Sequence, residues 1–165
     1  MLGITLGTGV GGGLVLGGRL YLGHDGTAGE FGHQTILPDG APCGCGSRGC
    51  LETLARADAI ADACGQAGVE ESVAAARAGD GRAQQGFRDV GRYLGIGASN
   101  VVVLVSVDRI VIGGGVAAAG ELLLEPIRKE LELRVHVTDV ARIKVVCGEL
   151  GTWAGAIGAA LHAAG

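Results

Sequence analysis

The sequence predicts an α/β fold, and three observations carry that prediction. Strand and helix patterns alternate through the second half of the chain, the order from which a sheet flanked by helices is built. Within that half, Ile110, Val111 and Ile112 make a short apolar run with β-branched residues, the mark of a strand covered on both faces. A glycine turn, Gly113 to Gly115, ends the run and a helical pattern follows. Such a junction at a strand's carboxyl end is where ligands bind in open α/β sheets, although glycine there also serves plain close packing.

The elements follow in order. "GITLGTGVGGGLVLGGRLYLG", residues 3 to 23, reads as two or three short strands, with Gly17-Gly18 as a hairpin turn. "GHQTILPDG", residues 32 to 40, adds another short strand. "LETLARADAIADAC", residues 51 to 64, is helical, with Leu51, Leu54, Ala55, Ala59 and Ala63 on one face. "ESVAAARAG" is a shorter helix. From Ala83 to Val105, the apolar residues Phe87, Val90, Leu94, Ala98, Val101 and Val105 recur at the helical period. The last part of that helix is apolar nearly all round, so it is expected to be buried. Pro126 lies in the next helical region and should start a second helix or kink the first, because it removes a backbone donor. "RIKVVCGE" is a last strand and "WAGAIGAALHAA" a last helix.

Length and composition narrow the class. A chain of 165 residues suits one domain. With 48% hydrophobic and 18% charged residues it is globular rather than disordered. The net charge of −4 and the lack of a basic block argue against nucleic-acid binding, which needs clustered Lys and Arg. No run of about eighteen apolar residues suggests a membrane span. The start, "MLGITLGTGVGGG", lacks the pattern of a signal peptide, so a cytoplasmic protein is expected. Met1 is followed almost at once by a strand pattern, which suggests part of something longer.

In a reducing compartment, clustered cysteines more often bind metal than pair as disulfides. Cys43, Cys45 and Cys50 stand in "CGCGSRGCLE". Zinc prefers four ligands in a tetrahedron, and these thiols supply three. His33 is the nearest good fourth, with His24 and Cys64 competing. Such a closed site is structural and would pin a glycine-rich loop. Upstream, "GHDGTAGEFGH" holds Glu30 three residues before His33, and Glu52 follows the last cysteine of the cluster. Two carboxylates and an imidazole suit a polyhydroxylated ligand such as a sugar. Solvated surface charge is the plainer reading of each glutamate, and for Glu52 a place in a helix's first turn. "LGTGVGGG", residues 6 to 13, offers the Thr8 hydroxyl and glycine amides that can ring an anion, or it is a plain hairpin. No Gly-Lys-Ser/Thr follows, so it is not a Walker loop.

Taken together, "GTAGEFGH" followed by "CGCGSRGCLE", with the phosphate-loop hairpin before and the strand-"GGG"-helix after, resembles the ROK family of repressors and sugar kinases, from about Leu2 to Ala160. The resemblance implies the actin-like, hexokinase-like ATPase fold, and within the family it is greatest to bacterial glucokinases. It implies a structural zinc on His33, Cys43, Cys45 and Cys50, and sugar hydroxyls met by Glu30, His33 and Glu52. The Thr8-Gly9 turn would approach the phosphates of ATP, bound with Mg²⁺, and Gly113-Gly114 would line the adenosine side. The family's first phosphate loop and its Asn-Asp pair, whose Asp is the general base, have no counterpart here. Asp25 would be at most a poor substitute. The resemblance therefore implies that residues 1 to 165 are the C-terminal lobe of a hexose kinase, a homo-oligomer when complete. The alternative is the sugar-sensing lobe of a ROK repressor.

Overall fold

The computed structural model describes residues 1–163. Five strands make one mixed sheet in the order β3-β2-β1-β4-β5. Strands β1 (Leu2–Leu6), β2 (Val10–Leu16) and β3 (Arg19–Tyr21) form an antiparallel meander. The Gly17-Gly18 turn has both residues at positive φ, 56° and 79°, which the tight β2–β3 reversal requires. Strands β4 (Arg109–Gly113) and β5 (Lys144–Cys147) then add to β1 in parallel. The α/β class is as the sequence predicts.

Helices α1 (Glu52–Ala55), α2 (Ala57–Cys64), α3 (Val69–Arg77) and α4 (Gly81–Val105) lie between β3 and β4, and α5 (Glu121–Arg134) between β4 and β5. Strand alternation sends Leu2, Ile4, Leu6, Ile110 and Ile112 to one face, where they share a buried cluster with Phe87 and Leu94 of α4 and Ile127 and Leu131 of α5. The opposite face is more open. Val111 is only partly covered and Val146 is exposed, so β4 is not enclosed on both sides as its apolar run predicts.

Other expectations are corrected. Residues 32 to 40 form no strand, only an isolated bridge between Thr35 and Cys50, because Ile36 N–H and Leu37 N–H both donate to Gly49 O. The helix expected over residues 51 to 64 breaks at Arg56, whose backbone is extended at φ −70°, ψ 161°. Pro126 starts no second helix. It lies within α5, its ring against Gly91 of α4. The end of α4 is not buried: Ala98 and Val102 face the core, but Leu104 is 83% exposed. A last helix, α6 (Ala154–Ala163), is apolar and has no buried residue, and Trp153 before it is 71% exposed.

Helix α4 is capped by Asp80, whose side chain accepts from Ala83 N–H, and it ends in a left-handed residue, Ser106. Along its length Gly91 lets α5 approach. A Cβ there would lie 2.4 Å from Pro126 Cγ and 3.0 Å from Leu123 O. Gly91→Ala is therefore expected to lower stability, since overpacking costs about 1–3 kcal/mol and outweighs a helix-propensity gain of about 1 kcal/mol. Gly81→Ala, where an added Cβ meets nothing within 4 Å, is expected to be neutral or stabilising. Urea unfolding midpoints of the two variants check the contrast.

Candidate functional site

The site is built on the β1–β2 turn, Gly7-Thr8-Gly9, which joins Leu6 to Val10. Gly7 N–H donates to Gly9 O at 3.0 Å. The break at Arg56 frees the first N–H of α2, and Ala57 N–H donates to Gly7 O at 2.8 Å. On the other side, Val10 N–H donates to Glu52 Oε2 at 3.0 Å. The α1–α2 elbow thus holds the turn from two directions.

The Glu30–His33 segment lies against β2 through backbone contact. A short 3₁₀ turn, Phe31–His33, buries the Phe31 ring in the core. A Cβ on Gly32 would sit 2.1 Å from Val10 O, so no side chain fits there. This closeness brings Glu30 and His33 alongside the β1–β2 turn. Glu30 Oε2 lies 3.7 Å from His33 Nε2, and the other ring nitrogen, Nδ1, is 3.7 Å from Cys43 Sγ.

The cysteine loop closes on itself. Cys43 N–H donates to Ser47 O, Gly46 N–H to Cys43 O, and Leu51 N–H to Gln34 O. One ligand atom from each of His33, Cys43, Cys45 and Cys50 lies within 4.8 Å of the others. Cys45 Sγ and Cys50 Sγ are 3.7 Å apart. Zinc–sulfur bonds of about 2.3 Å at the tetrahedral angle separate two sulfurs by about 3.8 Å, so the donor set fits zinc in kind, number and spacing. Of the competing ligands, Cys64 is buried in the core and donates to Ala83 O, and His24 is exposed outside the cluster. Burial pushes the Cys50 thiol up to about 11, reinforced by the neighbouring thiols. Cys45 moves the other way, lowered first by a backbone hydrogen bond at Ser47.

Thr8, Gly9, Glu30, His33, Glu52 and Gly114 line one open cavity of about 470 Å³. Gly113 is not on its wall; it pairs with Thr5 in the sheet just behind. Asp25 is also outside it, exposed and tied to Thr27 N–H and Oγ1, contacts that lower its pKa and weaken it as a base. Gly7 and Gly115, read from the sequence only as parts of glycine turns, also line the cavity, as does Thr5, which sequence reasoning did not single out. Thr5 had a signal: it is the polar residue of β1, on the face opposite Ile4 and Leu6. The ties through Val10 N–H and Ala57 N–H had none, since every residue carries an amide.

The whole chain, residues 1–165, matches the ROK family. A glucokinase of Halalkalibacterium halodurans is 40% identical over 180 residues, covering 96% of this chain and 54% of that protein. A crystal structure of a ROK family glucokinase from Streptomyces griseus, in complex with glucose and AMPPNP, superposes with a TM-score of 0.87 at 34% identity, covering 98% of this chain and 59% of that one. A ROK family transcriptional regulator, a homologue of the E. coli MLC protein, superposes with a TM-score of 0.80 at 32% identity, covering 88% of this chain and 41% of that one. The chain thus spans little more than half the length of the glucokinases it matches. The fold is that of the ROK sugar kinases, the actin-like, hexokinase-like ATPase fold.

The cysteine environments predict an order of reactivity in chelator-treated protein. A thiol of pKa near 11 is only roughly 0.1% ionised at pH 8, and the thiolate is the reactive form. Iodoacetamide should label exposed Cys45 well before buried Cys50, and added zinc should slow both. Peptide mass spectrometry over a time course checks the order.

Proposed function

The chain belongs to the ROK family, and from that premise we propose that it is the C-terminal lobe of an ATP-dependent hexose kinase acting on glucose to give glucose 6-phosphate. The observation that carries the reading is the single cavity whose wall combines Glu30, His33 and Glu52 with the Gly7-Thr8-Gly9 turn and Gly114. Carboxylates and an imidazole suited to sugar hydroxyls share one space with a glycine turn suited to phosphate, as transfer between a sugar and a nucleotide demands. The glucokinase similarities support the same reading.

The residues take these roles. Glu30 and the second oxygen of Glu52 accept hydroxyl hydrogens of the sugar. His33, through Nδ1, would hold a zinc together with Cys43, Cys45 and Cys50, which would leave Nε2 as a donor beside Glu30. A zinc held by these four residues would supply folding energy to the loop rather than chemistry. Thr8 and Gly9 approach the ATP phosphates, with Mg²⁺ carried by the nucleotide, and Gly113-Gly114 lie on the adenosine side. The general base belongs to the other half of the cleft, since no carboxylate of the cavity is free for that task apart from the sugar-binding pair. The complete protein is a cytoplasmic homo-oligomer, a dimer or tetramer. This lobe contacts neither nucleic acid nor membrane; no described helix is long and apolar enough to cross one. The regulator similarity favours a second reading, in which the same lobe senses sugar without phosphorylating it.

A coupled glucose 6-phosphate assay separates the two. The complete polypeptide should turn over glucose with ATP and Mg²⁺, and residues 1–165 alone should not exceed background, since loss of a general base alone costs about 10²–10⁴-fold. No turnover by the complete polypeptide, with glucose still bound, would favour the sensor. Glu30→Gln should raise the glucose KM by about tenfold or more, the worth of a charged hydrogen bond, with little change for ATP. Metal analysis should find one zinc per chain, lost with loop order when any of the four ligands is replaced by Ala.

A further inference from the structure

We propose that Glu52 is a positioning residue for the β1–β2 turn: by accepting the Val10 N–H it closes one side of a clamp whose other side is the Ala57 N–H on Gly7 O. Both bonds have well-formed lengths, 3.0 Å and 2.8 Å, and they join residues far apart in sequence. The carboxylate also lies close against the turn, since a Cβ on Gly9 would be 2.7 Å from Glu52 Oε2.

Three points separate this role from a sugar contact alone. First, the turn has little to hold it from within. Gly7 and Gly9 carry no side chains, Thr8 is exposed, and the internal tie is the single Gly7–Gly9 bond. Second, Glu52 is fixed from behind. Cys50 and Leu51 are fully buried, Leu51 N–H donates to Gln34 O, and Thr53 donates to Cys50 O through both its amide and its hydroxyl. The carboxylate's place is therefore set by the cysteine loop rather than by the turn. Third, a carboxylate beside a turn that receives phosphates is electrostatically unfavourable, and that cost calls for a compensating task. Holding Val10 N–H uses one oxygen. The other, Oε1, has no protein donor among the described residues and stays available to a ligand.

The clamp itself does not depend on the chain's function; its consequence, a turn pre-shaped for phosphate, rests on the kinase reading. The test uses Glu52→Met, which keeps the length and removes the acceptor, and Glu52→Gln, which restores a neutral acceptor. Amide exchange at Val10, read by NMR on the labelled chain, should be about tenfold or more faster in the Met variant and largely recovered in the Gln variant. Core α4 amides should be unchanged. Unaltered Val10 protection in a folded Met variant overturns the proposal. Where the Met variant fails to fold, the wild-type chain decides: a through-hydrogen-bond coupling between Val10 nitrogen and the Glu52 carboxyl carbon supports the clamp, and its absence with both signals resolved overturns it. In the complete polypeptide the ATP KM should rise with Met and recover with Gln, while the glucose KM stays raised in both. Loss of the functional reading would appear as no kinase activity in the unmodified polypeptide, with the Val10 result intact.

Discussion

The turn that carries Glu30 and His33 touches the second strand of the meander backbone to backbone. Gly32 stands where any side chain would collide with the Val10 carbonyl, and Phe31 between the two polar residues drives its ring into the core. From this contact the rest of the site takes its position. His33 is brought to the cysteines and Glu30 to the mouth of the cavity. The chain then leaves through Gln34, whose carbonyl receives Leu51 and so seats the start of α1. A bulkier residue at position 32 would push the imidazole, the loop and Glu52 away from the glycine turn together.

Much of this was legible in the sequence, and the reasons differ by element. The cysteine cluster was readable because its residue types are rare and their chemistry narrow, and His33 lies close by in sequence. Helix α4 was readable because a long amphipathic period leaves little alternative. The break at Arg56 was not, because it carries no proline or glycine. It follows from Ala57 N–H binding Gly7 O, a tertiary bond that takes the place of helix continuation. Hydropathy also misjudged the end of α4 and the outer face of β4. Apolar composition says which residues favour cover, and it does not say whether these elements supply it. Leu104 and Trp153 are left largely uncovered by the described residues.

Membership of the ROK family brings two kinds of relative, kinases and a transcriptional regulator, onto the same fold. The sharing is physically reasonable. Recognition of a sugar can serve either role, whether or not a phosphate follows, and a rigid framework is the part that can be common. What distinguishes a kinase is a second, phosphate-facing surface in register with the first. In this chain Glu52, two residues after Cys50, ties the cysteine loop to the second strand by accepting the Val10 N–H across the fold.

The same path acts as a ruler. Cys50 is held at one end by its loop and Ala57 at the other by the glycine turn, with six residues between them. Gaining or losing one residue there would rotate Glu52 away from Val10 or pull Ala57 off Gly7. By contrast, residues 22 to 27 form an exposed bend tied mainly by Ala28 N–H to Leu22 O and by Asp25 to Thr27. A change of length at that bend would leave both ends of the site in place, whereas the interval from cysteine to elbow has no such slack.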